Sequence, residues 1–160
     1  MTHQSSTRGF TLVETLVATG VLVTAVAGLA QLFALSARFT RDSAQHGAAL
    51  VAAQDKLESL RALRFSYDDS GAPLTDPGLQ PSPPASLSAN TDGYVDWLDH
   101  AGNPASEGRA SYARRWRIAT LAANDPAALV IDVCVFSMPA GTGDPVHADS
   151  CLATARVRQP

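Results

Sequence analysis

Arg8-Gly9-Phe10-Thr11-Leu12-Val13-Glu14 opens a run of apolar and small residues that continues to Ala37. Between Glu14 and Arg38 no residue carries a formal charge, and Val, Leu and Ala dominate. At ~1.5 Å per residue, the roughly 28 residues from Phe10 to Ala37 make a helix of ~40 Å, enough to cross a ~30 Å hydrocarbon core. Glu14 sits near the start of that run. A carboxylate at membrane depth costs ~2.5–3.5 kcal/mol, so an intramembrane acid is given a function by default and a partner is sought for it. A cut after Gly9 would supply one, because the new amine of Phe10 lies one helical turn from Glu14 on the same face.

Two plainer readings compete. A secretory signal has an apolar region of ~7–15 residues with a small-residue cut at its far end. Here the run is about twice that length, contains an acid, and offers Ala34-Leu35-Ser36 as its nearest small-x-small site. A plain single-pass anchor would merely tolerate Glu14 near the interface. The stretch from Arg8 to Ala18 (RGFTLVETLVA) instead resembles the cleavage and methylation motif of type IV pilin-like proteins. That resemblance implies a leader, residues 1–9, removed by a prepilin peptidase on the cytoplasmic side after Gly9. It implies N-methylation of Phe10 as the mature N-terminus and an assembly role for Glu14. It further implies a single-pass protein of a bacterial inner membrane, its C-terminal domain in the periplasm or outside, assembled with other pilins or pseudopilins. The implied partners are the peptidase-methyltransferase, those subunits, the inner-membrane assembly platform and membrane lipid.

Residues 10–37 form the membrane or filament-core half of the expected helix, and residues 38–64 its amphipathic half. Leu50, Ala53, Leu57 and Leu60 recur at helical spacing, with Gln54, Asp55, Glu58 and Arg61 on other faces. No proline lies between Phe10 and Leu63, so one helix of ~50 residues, roughly 80 Å long, is the simplest expectation. The leucine stripe would lie on a sheet, since two heptads are too few to argue a coiled coil. Gly20 and Gly28 are small residues that permit close helix approach, though their spacing is not GxxxG. Many major pilins carry a proline in this segment, and this chain has none before Pro73. With Ala52-Ala53-Gln54-Asp55-Lys56-Leu57-Glu58-Ser59-Leu60-Arg61, that departure is similar to minor pilins of the V type and to the I-type minor pseudopilin of type II secretion.

Residues 65–93 read as a long helix-to-sheet loop, rich in Ser, Pro, Asp and Gly, with Asp76-Pro77-Gly78 and Pro81-Ser82-Pro83-Pro84. The region 94–160 reads as short strands: Tyr94–Leu98, Ser111–Leu121, Ala128–Phe136 and Leu152–Arg158. Leu129, Ile131, Val133 and Val135 alternate strictly. Short links favour an antiparallel meander, giving an α+β fold with a long N-terminal helix packed by its second half on a small sheet.

The net charge of −3 carries no electrostatic footprint for nucleic acid, and every basic residue but Lys56 is arginine. Arg114-Arg115-Trp116-Arg117 could contact DNA, but long basic stems on a solvated strand face are the commoner arrangement. Asp96, Asp99 and His100 invite a metal, with no second cluster to complete a shell. No nucleophile, base and orienter, and no phosphate loop, point to catalysis or to a cofactor. Cys134 and Cys151 would be bridged if that end is exported, contributing ~3 kcal/mol. However, Cys134 lies opposite the apolar set of its strand, whereas Cys151 is in phase with Ala153, Ala155 and Val157. If both apolar sets face one core, the sulfurs diverge unless Cys151 precedes the regular strand. The expectation is therefore a structural subunit, a minor pilin or pseudopilin; the alternative is a membrane-anchored binding domain that enters no filament.

Overall fold

The computed structural model describes residues 11–122, 125–138 and 147–159. Gly9 and Phe10, with the rest of the leader, lie outside the described residues. The chain divides into two compact units, Met1–Ser43 and Ala44–Pro160. Helix α1 (Leu12–Ala62, 51 residues) contributes to both.

Within the first unit the side chains of Leu12, Val13, Leu16, Val17, Val21, Leu22, Val26 and Phe33 are all exposed. The helix is long and apolar enough to cross a membrane, and none of its apolar window is buried. Three of its threonine hydroxyls are satisfied by the helix itself. Thr15 donates to the carbonyl of Leu12 (2.8 Å), Thr19 to that of Thr15 (2.7 Å) and Thr24 to that of Val21 (2.9 Å). In hydrocarbon an unpaired hydroxyl is costly, and this back-bonding removes the cost without a partner helix.

The second unit is built on a four-stranded antiparallel sheet of order β3-β4-β5-β6. Its strands are β3 (Val95–Leu98), β4 (Tyr112–Ala122), β5 (Asp125–Ser137) and β6 (Ser150–Val157). This is a meander, since each strand pairs with its successor. The helix buries Ala49, Ala52, Ala53, Leu57 and Leu60 in one core with Tyr112, Trp116, Ile118, Leu129, Ile131, Val133 and Val135. The stripe differs from the expected one at its start. Leu50 is 40% exposed, and Ala49 and Ala52 take its place. Leu50 stands one residue, or ~100°, around the helix from Ala49. The contact is therefore made by alanines at its upper end, which brings the helix backbone close to the sheet.

Residues 65–93 are more ordered than a loop. A small hairpin, β1 (Phe65–Tyr67) with β2 (Pro73–Thr75), precedes a 3-10 turn at Pro77–Leu79. Asp68 fixes the hairpin turn by accepting from the backbone N–H groups of Ser70 and Ala72, with Gly71 at φ 79°. Leu79 is fully buried in the main core. Ser82 then continues the edge of β4 where β3 ends: its N–H donates to the carbonyl of Ile118 (2.9 Å), and its Oγ accepts from the N–H of Ile118 (3.1 Å).

Strand β6 corrects the face assignment made from sequence. Arg156 pairs with Leu129, Thr154 with Ile131 and Leu152 with Val133, so these three face the helix side. Ala153, Ala155 and Val157 face outward and are exposed. The more apolar set is the outer one because Arg156 has work on the inner face: Nη1 donates to the carbonyls of Leu60 (3.1 Å) and Leu63 (3.0 Å). These lie at the last turn of α1, where backbone carbonyls lack intrahelical partners and a cation is favoured.

Because the helix meets the sheet through alanines, Ala53→Leu should overpack that contact and cost about 1–3 kcal/mol. Val51→Leu, on an exposed face, should be nearly neutral. Urea midpoints followed by the fluorescence of Trp97 and Trp116 check both.

Candidate functional site

Of the residues on which the sequence motif rests, Glu14 is the one described. It lies in the first turn of α1, where its N–H donates to Thr11 Oγ1 at 3.3 Å. Thr11-Leu12-Val13-Glu14 has the spacing of a capping box. Only the hydroxyl half of that box is formed, and among the described residues the Glu14 carboxylate has no hydrogen-bond or ion-pair partner. The acid is therefore available to a group outside the described chain.

In the second unit the polar groups converge where helix meets sheet. Asp96 on β3 accepts from Lys56 of α1 (3.0 Å) and from Arg114 Nη2 on β4 (2.8 Å). Lys56 also stands over the Trp116 ring, 3.5 Å from its centroid. Arg114 reaches further, donating from Nη1 to the carbonyl of Ala52 (2.9 Å), a reach that the short alanine side chains permit. Its Nε is the one buried side-chain nitrogen or oxygen without a partner among the described residues. Burial opposes the charge on Asp96, but hydrogen bonds from Arg114 and Lys56 outweigh it and hold the carboxyl below its ordinary range.

Those contacts dissolve the metal reading of Asp96, Asp99 and His100. Asp96 is committed to two cations. Asp99 organises its own turn, accepting from the N–H groups of Ala101 (2.8 Å) and Asn103 (2.9 Å), with Gly102 at φ 85°. Its carboxyl is lowered chiefly by the Asn103 N–H. No group of three metal-ligating side chains occurs among the described residues.

Arg114-Arg115-Trp116-Arg117 does not form one solvated face. Arg114 and Trp116 point to the helix. Arg115 is 3% exposed on the other side of the sheet, donating to Asn90 Oδ1 (3.0 and 2.7 Å) and the carbonyl of Leu87 (3.4 Å), over the Phe136 ring. Arg117 pairs with Asp132 across β4 and β5 at 2.7 Å. Arg158 is equally inward, donating to the carbonyls of Ser66, Leu74 and Pro126 and to Thr75 Oγ1. Sequence reasoning missed Arg115, Arg156 and Arg158 as structural cations. For Arg156 and Arg158 the available signal was their two-residue spacing in a segment, residues 150–158, that contains no acid; Arg115 carried no such signal.

Cys134 and Cys151 stand directly opposite each other in the β5–β6 register and are bonded, with Cα atoms 4.1 Å apart. Both lie on the outer face. The sulfurs meet because the core side of β6 is the set containing Leu152 and Arg156.

The described residues thus define an α+β protein with one long N-terminal helix, compatible with a single-pass membrane anchor, and a small antiparallel sheet. No family model, curated protein or solved structure matches the chain.

The joint at Asp96 carries a pH dependence of fixed sign. Its carboxyl is depressed in the folded state, so its contribution is present above the unfolded value of about 3.9 and is lost as pH falls below it. Asp96→Asn should lower stability by about 1–2 kcal/mol at pH 7, a figure reduced for the partial exposure of the pair. The difference from wild type should shrink below about pH 4. Urea titrations at pH 7, 5 and 3 measure it.

Proposed function

We propose that this chain is a pilin-like structural subunit, a minor pilin or minor pseudopilin. It is made with residues 1–9 as a leader and inserted with that leader in the cytoplasm. A prepilin peptidase cuts after Gly9 and Phe10 is methylated. The subunit then assembles with other pilins or pseudopilins into a type IV pilus or type II secretion pseudopilus. In this role the chain is a substrate of the peptidase-methyltransferase and not an enzyme.

The observation that carries the reading is a sequence order joined to a geometry. The motif from Arg8 to Glu14 leads directly into a helix whose first part is apolar and exposed, and whose residues Ala44–Ala62 pack on an antiparallel meander. Glu14 would neutralise the amine of Phe10, its own or a neighbour's, so that neither charge stays unpaired in an apolar filament core. The composition of the segment supports the same reading, because Glu14 is the one formally charged residue from Leu12 to Ala37 and the hydroxyls of Thr15, Thr19 and Thr24 bond within their own helix. A cross-strand disulfide fits an oxidising compartment for the sheet.

Mass and N-terminal sequence of the protein from native membranes test the processing step, with a chain beginning at N-methylated Phe10 expected. A chain beginning at Met1, or cut near Ala37, would overturn it. Glu14→Ala should abolish recovery in sheared filaments, by at least about tenfold, while membrane insertion is retained. Normal incorporation of that variant would sink the role given to Glu14. Processing without any incorporation of the wild type would leave an anchored binding domain.

A further inference from the structure

The outer face of the sheet carries one row in register across three strands: Arg115 on β4, Cys134 on β5 and Cys151 on β6. Its two sulfurs differ in environment. Cys151 is exposed and belongs to an edge strand, whereas Cys134 is 3% exposed on an inner strand and packs with Leu87 and Phe136. A thiolate attacking in line therefore has access to Cys151 and none to Cys134. The third member of the row is a cation. Cross-strand neighbours hold their Cβ atoms ~4.5–5.5 Å apart. The guanidinium of Arg115 is bound to an amide oxygen and a carbonyl, and no carboxylate lies within ion-pair distance of it among the described residues. Its charge has no counter-ion among the described residues, and it lies over the ring of Phe136, which packs with Cys134.

We propose that the Cys134–Cys151 disulfide is an exchange site for a thiol–disulfide oxidoreductase, entered at Cys151, with Arg115 holding Cys134 as the leaving thiolate. The enzyme's first thiolate forms a bond to Cys151 Sγ as the bond between Cys151 and Cys134 breaks, and the electron pair departs on Cys134. The enzyme's second thiolate then attacks the mixed disulfide and releases Cys151. The chain is reduced by two electrons, the enzyme's dithiol is oxidised to a disulfide, and its two protons pass to the released thiolates. Run in reverse, the same steps install the bond, with Cys151 entering first and Cys134 resolving. Arg115 acts here as a positioning residue through its charge. The inference does not depend on filament assembly.

The test uses the full chain in detergent micelles with a thioredoxin-like domain whose second Cys of Cys-X-X-Cys is replaced by Ala. Peptide mapping should place the trapped mixed disulfide on Cys151; a trap on Cys134, or no trap, overturns the proposal. Reduction by dithiothreitol is then timed. Arg115→Gln should slow it about three-fold, the change expected if the leaving-group pKa rises by about one unit, and Arg115→Lys should restore most of the rate. A purely structural arginine predicts the opposite sign, because loosening Leu87 and Asn90 would uncover Cys134 and speed reduction. Faster or unchanged reduction therefore overturns the role of Arg115. Should Arg115→Gln fail to fold, Asn90→Asp places a carboxylate on the same guanidinium, and slowed reduction is again the required result.

Discussion

The close approach of the helix to the sheet is the constraint on which the second unit depends. Ala49, Ala52 and Ala53 present almost no side chain, so Arg114 can reach the carbonyl of Ala52 from a sheet strand. The same proximity lets Lys56 lie against Trp116 and meet Asp96. Larger residues at the alanine positions would separate the backbones and strand Arg114, a half-buried cation whose Nε already lacks a partner. Packing and electrostatics are thus one arrangement here. The leucines further along, Leu57 and Leu60, then fill the volume as the elements diverge.

A second theme is the use of arginine without acids. Arg115, Arg156 and Arg158 are held mainly by carbonyl and amide oxygens, and each lies against an aromatic ring. Burial lowers the proton affinity of Arg115 and Arg156, but a guanidinium remains charged at any physiological pH. Each ties together segments that regular secondary structure leaves apart. Arg156 caps the last turn of α1, Arg158 gathers both strands of the small hairpin, and Arg115 fastens the segment at Leu87 and Asn90 to the outer sheet face. Five donors in a planar fork suit this task, whereas a lysine could not serve several carbonyls in fixed directions. The near-exclusive use of arginine among the bases has a structural consequence as well as a compositional one.

How much of this was legible follows from which forces are local. The long helix could be read from its apolar run and the absence of proline, and the meander with the alternation of Leu129, Ile131, Val133 and Val135 from periodicity, which reports burial wherever burial is apolar. The phase of β6 could not. Its inner face carries Thr154 and Arg156, and only the helix end opposite explains why a cation belongs there. Likewise the segment 65–93 looked featureless because its order comes from single long-range bonds, such as Ser82 to Ile118, and not from a repeating pattern. Arg115 looked solvated because nothing nearby in sequence announces Asn90 as its partner. In the first unit the reading of Gly9 and Phe10 rests on sequence alone, while Glu14 is placed in the first helical turn.

The two units treat polarity in opposite ways, and this bears on where function lies. In the second, charges are drawn inward and tied to groups of the same domain, leaving Asp96, Arg156 and Arg158 little freedom to bind anything else. In the first, the hydroxyls of Thr15, Thr19 and Thr24 are closed onto their own helix, and one carboxylate is left open among the described residues. A charge on an apolar helix is stable only if its environment answers it. The sheet domain supplies its own answers, whereas the helix does not. The demand for a partner falls on Glu14, and the nearest group of opposite sign that cleavage could create is the amine of Phe10 one turn away.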